Sequence, residues 1–507
     1  MEEARTRNGV AGLIAAGAAL GVGELLAGLF AAVPSPLASV GGYVVDSSPP
    51  FAKDFAVSVF GTADKGALAI GTMVIVLIFG SLTGIQAAAH RWVGPAVFGL
   101  FAALGAAAGW RDPFAEPFPL AAAALLAAVT GWLVLDTLLR AAQWVEPTDG
   151  LAGDRGRRRF MRLAAGGSVA AIATGAVGRR LLSRLPAVPD VAVLTSPPSE
   201  APEVVVAEHS FDVTGLTPIV VPNEDFYRID TALIVPRVDE QTWQLRVHGL
   251  VEREVTIGYD ELLSMPLVDD YVTIACVSNE VGGDLVGNAL WTGVRLTEVL
   301  DRSGVLPEAS QLIGRAIDGF TVGFPPELAY DGREPLIAVG MNGKPLPRDH
   351  GFPARLIVAG LYGYVSATKW LTEIELTTWE GFDAYWIPRG WSKEAPIKTQ
   401  SRIDVPRPRG VLQPGANVVA GVAWAPLKGI ELVEVQVGDG PWQEAEVTVP
   451  LSDRAWVQWR VVVTLESGSH WVRVRATDGT GEVQTEKLRS PRPDGATGHH
   501  GVLVRVG

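Results

Sequence analysis

The single cysteine of this 507-residue chain, Cys276, is the first residue whose type and place suggest chemistry. A β-rich run, YVTIA, leads into it, and a polar, glycine-rich stretch, VSNEVGG, follows it. A cysteine at the end of a strand faces the beginning of a cleft, where a thiolate could bind a transition metal or act as a nucleophile. A small buried apolar residue is the alternative interpretation. One cysteine excludes an internal disulfide, a CxxC site and a c-type haem attachment.

A second group of reactive side chains lies in the segment 341–370, MNGKPLPRDHGFPARLIVAGLYGYVSATKW. Glycine and proline recur through this segment, which predicts loops rather than one helix. Convergent cations with backbone N–H groups would bind a phosphate or another anionic cofactor, whereas a solvated loop with scattered charges is the alternative. Neither a G-x-G-x-x-G fingerprint nor a Walker A motif is present. Its cationic side chains are Lys344, Arg348, Arg355 and Lys369, and it also contains His350.

The elements that would position these side chains change in character near residue 400. Residues 206–400 mix short strands with helical stretches, such as a strand at 242–250 and an amphipathic helix at 296–305 that ends at Gly304. Residues 410–507 contain strand-like runs, and Gly438-Asp439-Gly440 predicts a hairpin turn. These short alternating runs, separated by turn residues, predict a β-sandwich. They are ANVVAGVAWA, IELVEVQV, WVQWRVVVTL and HWVRVRAT.

The first part of the chain is strongly apolar. The whole chain is 48% hydrophobic and 19% charged, which excludes a disordered or fibrous protein and argues against a purely soluble one. A helix needs about 20 apolar residues to cross a bilayer. A buried soluble helix is the alternative for any one run, but several in succession predict a transmembrane region. The runs cover 9–33, 66–89, 93–109 and 117–140, and a fifth covers 163–178.

Basic residues predict how these helices are oriented. Arginines on the cytoplasmic side would place the N-terminus and the loop 141–162 inside the cell, and everything after about residue 185 outside the cytoplasm. Arg158-Arg159-Phe160-Met161 resembles a twin-arginine export signal, with a plain positive-inside anchor as the alternative. The Pro-rich residues 186–205 predict an extended linker. The basic cluster comprises Arg155, Arg157, Arg158, Arg159 and Arg162.

Residues 218–507 resemble the sulfite oxidase family of molybdopterin-dependent oxidoreductases, of a membrane-anchored bacterial type. Three motifs carry the resemblance: PNEDFYRIDT (222–231), TIACVSNEVGG (273–283) and NGKPLPRDHGFPARLIVAGLYGYVSATKW (342–370). The tail, with its late GATGHH segment, is similar to the family's C-terminal immunoglobulin-like domain. The resemblance therefore implies a multi-domain chain. Its expected parts are a four-helix transmembrane region (1–150), a basic segment, fifth helix and linker (151–205), an α+β molybdopterin domain (206–400) and an immunoglobulin-like, dimerisation-type β-sandwich (401–507).

The resemblance also implies a cofactor and its ligands. Cys276 matches the cysteine whose thiolate binds molybdenum, while the pyranopterin supplies further sulfurs. Tyr385 matches a pocket tyrosine able to donate a hydrogen bond to an oxo group, and Trp386 and Trp391 would wall the pocket or serve as core residues. The residues implied to bind the cofactor are Asn223, Phe226, Tyr227, Asp318, His350, Arg355, Ala367, Thr368 and Lys369.

Departures from the family pattern bear on the substrate. Sulfite-oxidising members hold their anion with arginines, but the matching positions here are Val281, beside Glu280, and Pro222. Each missing charge-assisted contact costs about 1.5–3 kcal/mol. The expected reaction is therefore two-electron oxygen-atom transfer on a neutral S-oxide, N-oxide or sulfide, either a small molecule or protein-bound, rather than on sulfite or nitrate.

Partners follow from the same observations. The net charge of −13 argues against nucleic acid. Only His90 of the seven histidines is close to an apolar run, so a bis-histidine haem among these helices is not expected. Electrons would pass to a separate carrier, a cytochrome or a quinone-linked protein. The lipid bilayer is an expected partner, and a homodimer is possible through the C-terminal domain.

Two other interpretations remain open from sequence. The chain could be a non-catalytic, membrane-tethered surface binding module with a degenerate enzyme domain, although Cys276, His350, Arg355 and Lys369 are all present. Alternatively, its helices could carry the main function and the outer domain could regulate them. The apolar runs contain few polar residues beyond Glu24 and Asp136, which gives this last interpretation little support.

Overall fold

A computed structural model describes residues 2–49, 64–112, 114–143, 151–184 and 209–507, together with residues 59 and 188. The chain divides into two compact units. The first comprises Met1–Pro186 with the short segment Ala232–Arg237, and the second comprises Ala187–Thr231 with Val238–Gly507. The predicted linker at 186–205 lies outside the described residues except for residue 188.

The first unit is helical. Four of its described helices are long and apolar enough to cross a membrane, namely those at Glu2–Leu29, Lys65–Ala89, Pro117–Ala142 and Arg157–Ser183. The predicted span at 93–109 is a helix of 17 residues, about 26 Å long at 1.5 Å per residue. This is shorter than a typical hydrocarbon core of about 30 Å. The helices are α1 (Glu2–Leu29), α2 (Pro36–Ser47), α3 (Asp64–Ala89), α4 (Val93–Gly109), α5 (Pro117–Gln143) and α6 (Leu151–Ser183).

Glycines allow the backbones of α1, α3 and α6 to approach closely. A Cβ added to Gly12 would lie 2.0 Å from the carbonyl oxygen of Gly80, and one added to Gly178 would lie 2.4 Å from the carbonyl carbon of Glu24. Small residues at helix contacts are typical of membrane proteins, because packing rather than the hydrophobic effect holds helices together in lipid.

Glu24 joins three elements of the helical unit. Its side chain is buried, and its Oε1 accepts hydrogen bonds from Ser35 Oγ at 2.7 Å and from the backbone N–H of Leu37 at 3.1 Å. Arg179 Nη1 of α6 lies 3.5 Å from Glu24 Oε2. Asp136, the other acidic residue noted in an apolar run, pairs with Arg140 one turn away at 2.7 Å. Both carboxylates thus have partners that stabilise the helical unit.

The segment 209–399 contains two sheets, and the chain contributes strands to each of them in turn. One sheet has the order β2-β1-β10-β5-β6, and the other has the order β3-β4-β7-β8 with β9 paired to β7. The predicted strand at 242–250 is β1, and the predicted helix at 296–305 is α8, which ends where Gly304 adopts a left-handed φ of +69°. Helix α8 buries Leu296, Val299, Leu300 and Ser303, the spacing of one apolar face.

The boundaries of these elements are as follows. The strands are β1 (Gln244–Gly249), β2 (Val255–Gly258), β3 (Leu267–Ala275), β4 (Val286–Arg295), β5 (Gln311–Ala316), β6 (Thr321–Phe324), β7 (Leu336–Met341), β8 (Lys344–Pro345), β9 (Arg355–Ile357) and β10 (Leu371–Thr377). The helices are α7 (Tyr259–Ser264), α8 (Leu296–Ser303) and α9 (Gly363–Ser366), with 3₁₀ turns at Pro326–Ala329, Arg348–His350 and Ile387–Arg389.

Two further sheets enclose the core of the C-terminal part, here called the C-terminal sandwich (residues 400–506). Their orders are β11-β13-β17-β16 and β12-β19-β18-β14-β15. Trp459, Val463, Val433, Val474 and Val504 form part of their shared core. All four strand-like runs of the sequence are strands, and the predicted hairpin turn connects β14 to β15. The strands are β11 (Gln400–Val405), β12 (Val411–Leu412), β13 (Gly415–Trp424), β14 (Ile430–Val437), β15 (Trp442–Glu444), β16 (Glu446–Val447), β17 (Val457–Leu465), β18 (Gly468–Asp478) and β19 (His500–Val506).

Substituting Gly12→Ala should destabilise the helical unit. The added methyl group would meet the Gly80 backbone, and such overpacking costs about 1–3 kcal/mol. Gly17→Ala is the matched control on the same helix, because its nearest neighbours would be 3.8 Å away. Thermal unfolding of the detergent-solubilised chain should show a lower Tm for the first variant only. Equal Tm values would contradict the close α1–α3 contact.

Candidate functional site

Cys276 follows β3 directly and begins a tightly hydrogen-bonded loop, here called the Cys276 loop (residues 276–285). Its backbone N–H donates to Leu285 O at 2.9 Å, and its carbonyl accepts from Asn279 N at 3.0 Å. The Asn279 side chain in turn accepts from Leu285 N at 2.9 Å. The pairing of β3 with β4 brings both ends of the loop together. The loop therefore holds the cysteine in one place without regular secondary structure.

The Cys276 side chain is half-buried. Its Sγ is 2.9 Å from Ser278 Oγ. Burial raises the pKa of the Cys276 thiol, and the hydrogen bond from Ser278 opposes this shift. A cysteine in such surroundings stays protonated at neutral pH unless a metal or another cation displaces the proton. This environment suits a metal ligand better than a free thiolate nucleophile.

The segment 222–231 forms a second side of the site. Asn223 presents its carbonyl oxygen to His350 Nε2 at 2.9 Å, and its amide group donates to Met341 O at 3.2 Å. Phe226 is buried, packs edge-on against Trp291 and His350, and stacks on Tyr227 with ring centroids 5.2 Å apart. Phe226 therefore supports its neighbours as a core residue, and Asn223 fixes the position of the His350 ring.

Tyr227 connects the cysteine with the cationic group. Burial raises the pKa of its hydroxyl above the ordinary value, the negative charge of a Cys276 thiolate would raise it further, and Arg355 opposes the shift. Tyr227 consequently keeps its proton across the physiological pH range. Phe226, on which Tyr227 stacks, packs against Trp291, and the Arg355 guanidinium carbon lies 4.9 Å from the Trp291 ring centroid. Phe226 also lies against Gly287, which pairs with Ile274, two residues before Cys276.

His350 is neutral and presents an acceptor to the site. Its Nε2 donates to the Asn223 carbonyl at 2.9 Å, which leaves Nδ1 without a proton in the neutral ring. Burial, together with Lys369 and Arg355, lowers the pKa of His350 to about 4. The Nδ1 atom is buried and has no hydrogen-bond partner among the described residues. It can therefore accept a hydrogen bond from a ligand.

Two cations are buried beside this histidine. Arg355 is 3% exposed, and its Nη1 donates to His350 O at 2.9 Å. Lys369 is 8% exposed and contacts Asp230 Oδ2 at 3.2 Å and Asp349 O at 2.9 Å. Burial lowers the pKa of Arg355 to about 10 and that of Lys369 to about 8, and Asp230 opposes the shift of the lysine. Such burial of positive charge is costly unless an anion accompanies it.

The site has donors and acceptors that the described chain does not satisfy. Besides His350 Nδ1, they include Arg355 Nε and Thr368 Oγ1, both buried and without a partner among the described residues. Buried polar groups in folded proteins normally have partners, so an unsatisfied cluster indicates a ligand. The arrangement fits an anionic molecule with several hydrogen-bonding groups. No set of three or more metal-ligating side chains occurs in the described part of the chain.

The remaining predicted residues lie in different places. Asp318 accepts from Thr231 Oγ1 at 3.3 Å and from Phe320 N at 3.2 Å, so it supports the end of the 222–231 segment. Ala367 ends α9, and its N–H donates to Gly363 O. The cations of the third motif do not all converge, since Lys344 is exposed on the β7–β8 hairpin and Arg348 donates to Val238 O.

Tyr385 stands in an aromatic row. Its ring contacts Phe320 and Trp386, and the Arg389 guanidinium carbon lies 3.8 Å from its centroid. The row continues through Trp391 to Tyr364. These contacts join Tyr385 to Trp386 and Trp391, and the role of all three in a substrate pocket stays a prediction.

Two residues near the site were not singled out from sequence. Asp230 pairs with Lys369, and only its place at the end of the first motif could have pointed to it. Tyr362 is buried, and burial raises the pKa of its hydroxyl to about 12, with a smaller contribution from Cys276. A Cβ on the next residue, Gly363, would lie 3.6 Å from the carbonyl oxygen of Ala275, which places this segment beside the strand that ends at Cys276. Nothing in the local sequence distinguishes Tyr362 from the neighbouring Tyr364.

Comparison with known proteins gives the cofactor class. Residues 232–386 match the family model of the oxidoreductase molybdopterin binding domain. The chain is 32% identical over 158 residues to the uncharacterized oxidoreductase YuiH of Bacillus subtilis, covering 31% of this chain and 76% of YuiH. It is 27% identical over 318 residues to mitochondrial sulfite oxidase of Mus musculus, covering 53% of this chain and 58% of that protein's length. In structure it is similar to the sulfane dehydrogenase SoxCD from Paracoccus pantotrophus, with a TM-score of 0.50, 21% identity and coverage of 64% of this chain and 96% of SoxCD.

Retention of a phosphate-bearing cofactor should weaken as pH rises above about 8. Lys369 has a pKa lowered to about 8, so it loses its positive charge above that pH, and an anion binds the charged form better. The dissociation constant should then increase by up to about tenfold per pH unit. Pterin fluorescence released on dilution at pH 7 and at pH 9.5 would measure this change. Lys369→Arg, which stays charged, should make the dissociation constant less dependent on pH. If the dissociation constant of that variant rises with pH as steeply as that of wild type, the role of Lys369 is contradicted.

Proposed function

Because this chain belongs to the sulfite oxidase family of molybdopterin-dependent oxidoreductases, we propose that it is a membrane-anchored enzyme that transfers an oxygen atom to or from an uncharged substrate. It is an oxidoreductase that uses the molybdenum–molybdopterin cofactor, and this sets aside the non-catalytic binding module. One observation carries the proposed site: two buried cations, Arg355 and Lys369, accompany three buried polar atoms without a partner among the described residues, namely Arg355 Nε itself, Thr368 Oγ1 and His350 Nδ1.

Different residues of the site would hold different parts of the cofactor. Cys276 would be the protein ligand of molybdenum, and Arg355, Lys369 and Thr368 would hold the anionic end of the pterin. His350 Nδ1 would accept a hydrogen bond from a pterin N–H, because its Nε2 is committed to Asn223. When bound, the cofactor supplies two-electron oxygen-atom transfer. Tyr227, which keeps its proton, would hold a polar group beside the sulfur of Cys276, and Tyr385 would be the pocket tyrosine.

The substrate is proposed to be a neutral S-oxide, N-oxide or sulfide. The Cys276 loop presents Glu280, which is exposed, and Val281, which is half-buried, where sulfite-oxidising relatives would need cations. Pro222 occupies the other matching position. A carboxylate and two apolar side chains disfavour an oxyanion through both the missing contacts and the added repulsion. An uncharged substrate does not need the missing cationic contacts and is not repelled by the carboxylate.

The helical unit is proposed to be a multi-pass anchor. Four described helices have the length and composition for it, and counting Val93–Gly109 as a fifth crossing would place the enzyme domain outside the cytoplasm. Arg157, Arg158 and Arg159 are exposed near the start of α6, as expected for either a twin-arginine signal or a positive-inside anchor. The domain boundaries proposed are 1–150, 151–205, 206–400 and 401–507. The last would be an immunoglobulin-like domain able to dimerise.

Electrons are proposed to pass to a separate carrier, a cytochrome or a quinone-linked protein. The chain has seven histidines, and His90 alone lies next to the apolar helices, between α3 and α4. Two histidines on facing helices would be needed for a bis-histidine haem within the anchor. The carrier would therefore approach the enzyme domain, and the lipid bilayer would restrict that approach to one side.

Molybdenum and pterin content, measured on wild type and Cys276→Ser, tests the proposed enzyme. We expect about one metal per wild-type chain from a host able to make the cofactor, because one thiolate serves one metal centre. The serine variant should keep its pterin, which other residues hold, but lose turnover. A metal-free and pterin-free wild type from such a host would overturn the proposed function.

Val281→Arg should raise activity towards sulfite. A restored charge-assisted contact of about 1.5–3 kcal/mol corresponds to an increase of roughly 10- to 100-fold in kcat/KM. Wild type should instead turn over a neutral sulfoxide. Val281→Met is the control, since it adds length without charge. If wild type already oxidises sulfite efficiently and the arginine changes nothing, the assignment of a neutral substrate is wrong.

A further inference from the structure

The C-terminal sandwich contacts the loop that carries the metal-binding cysteine. His500, the first residue of β19, packs its ring on Gly282. A Cβ on Gly282 would lie 2.1 Å from His500 Cδ2 and 2.2 Å from Nε2. Gly282 also has a φ of +78°, a conformation that favours glycine. The close approach therefore depends on glycine at 282 and fixes the loop against the ring.

The His500 ring is also held by a hydrogen bond within the C-terminal sandwich. Its Nδ1 accepts a hydrogen bond from Ile403 N at 2.9 Å, so in the neutral ring the proton is on Nε2, the atom nearer Gly282. Burial, with a further contribution from Arg402, lowers the pKa of His500 to about 4. The ring is consequently neutral, and its orientation is constant, over the physiological pH range.

Arg402 of β11 holds the next residue of the same loop. Its Nη1 donates to Gly283 O at 2.9 Å, and its Nη2 donates to Thr217 Oγ1 at 2.9 Å. Asp404 accepts from Arg402 Nε at 2.7 Å and balances the charge. The sandwich thus fixes two consecutive residues of the Cys276 loop through two different side chains.

A third contact joins the sandwich to Tyr362. A Cβ on Gly495, in the segment that leads into β19, would lie 2.5 Å from the Tyr362 hydroxyl oxygen. Lys398, which precedes β11, donates to Asp494 Oδ1 at 3.0 Å and to Gly495 O at 2.9 Å. The sandwich therefore packs against Tyr362 as well as against the Cys276 loop, rather than at a single point.

We propose that His500 and Arg402 are positioning residues that set the place of Cys276 and of the adjacent Glu280–Val281 pair. The sandwich would then be a part of the active site as well as a separate domain. Displacement of Gly282 reaches the cysteine because the loop is closed by Cys276 N to Leu285 O and by Asn279 N to Cys276 O, at 2.9 and 3.0 Å. The proposal rests on the proposed function for the role of Cys276 as a metal ligand.

The test uses His500→Asn in the full-length chain. The Asn side-chain oxygen can still accept from Ile403 N, so the contact within the sandwich is kept while the ring on Gly282 is lost. His499→Asn is the matched control, since His499 faces Trp442 at 5.6 Å between ring centroids and contacts Gln484 O at 2.8 Å inside the sandwich. Thermal unfolding of both variants would check that they fold.

In the metal-loaded enzyme, the spectroscopic signature and the kinetics should change together. We expect His500→Asn to keep its molybdenum, to shift the electron paramagnetic resonance signal of the reduced enzyme, and to lower kcat/KM by roughly 10- to 100-fold, as small displacements do. His499→Asn should change neither quantity. A fully loaded His500→Asn enzyme with an unchanged signal and unchanged kcat/KM would overturn the proposal.

A second readout does not depend on the cofactor. Cys276 is the single thiol of the chain, so its alkylation by iodoacetamide can be followed in cofactor-free protein without interference. His500→Asn should change the alkylation rate severalfold relative to wild type, and His499→Asn should not. Equal rates in all three proteins would overturn the positioning role. Absence of molybdenum from wild type would instead count against the proposed function, so the two failures are distinguishable.

Discussion

Positive charge buried without a full complement of negative charge is the constraint on which this site depends. Arg355 and Lys369 lie close to each other in the interior, and Asp230 is the carboxylate paired with the lysine. Each buried cation raises the free energy of the folded chain unless an anion compensates it. In the proposed site, a phosphate-bearing pterin would provide that anion. Burial lowers the pKa of His350 and keeps it neutral, and the same positive potential adds to this shift.

The side chains of the site lie mainly on loops, and long-range hydrogen bonds make these loops rigid. His350 contacts a carbonyl 127 residues away, and Lys369 contacts a carboxylate 139 residues away. The Cys276 loop adds its own hydrogen bonds and the contacts of Arg402. Loops lack the regular backbone hydrogen bonds that hold helices and strands in place. They can position catalytic side chains accurately only when other elements hold them. The two sheets of the enzyme domain and the C-terminal sandwich provide that support.

Local patterns predicted the regular elements well, and they predicted the contacts poorly. The strand before Cys276, helix α8 with its terminal Gly304, and the strands of the sandwich follow from periodicity and turn residues. The grouping of His350, Arg355 and Lys369 could be predicted from one motif, although Lys344 from that motif is exposed on a hairpin. The Asp230–Lys369 pair and the His500–Gly282 contact join distant segments and leave no periodic signal. The short helix α2 was also missed, because it follows directly on an apolar run.

Cofactor loading and the final folding of the enzyme domain are linked by the same charges. Before loading, Arg355 and Lys369 repel each other, and burial holds the proton on the Cys276 thiol. Loading would remove that repulsion, displace the thiol proton and offer partners to His350 Nδ1 and Thr368 Oγ1. Binding to the folded state stabilises it in proportion to the logarithm of the ligand concentration over its dissociation constant. Under the proposed topology, a domain completed in this way would cross the membrane after folding, which is the physical argument for the proposed twin-arginine route at Arg158-Arg159.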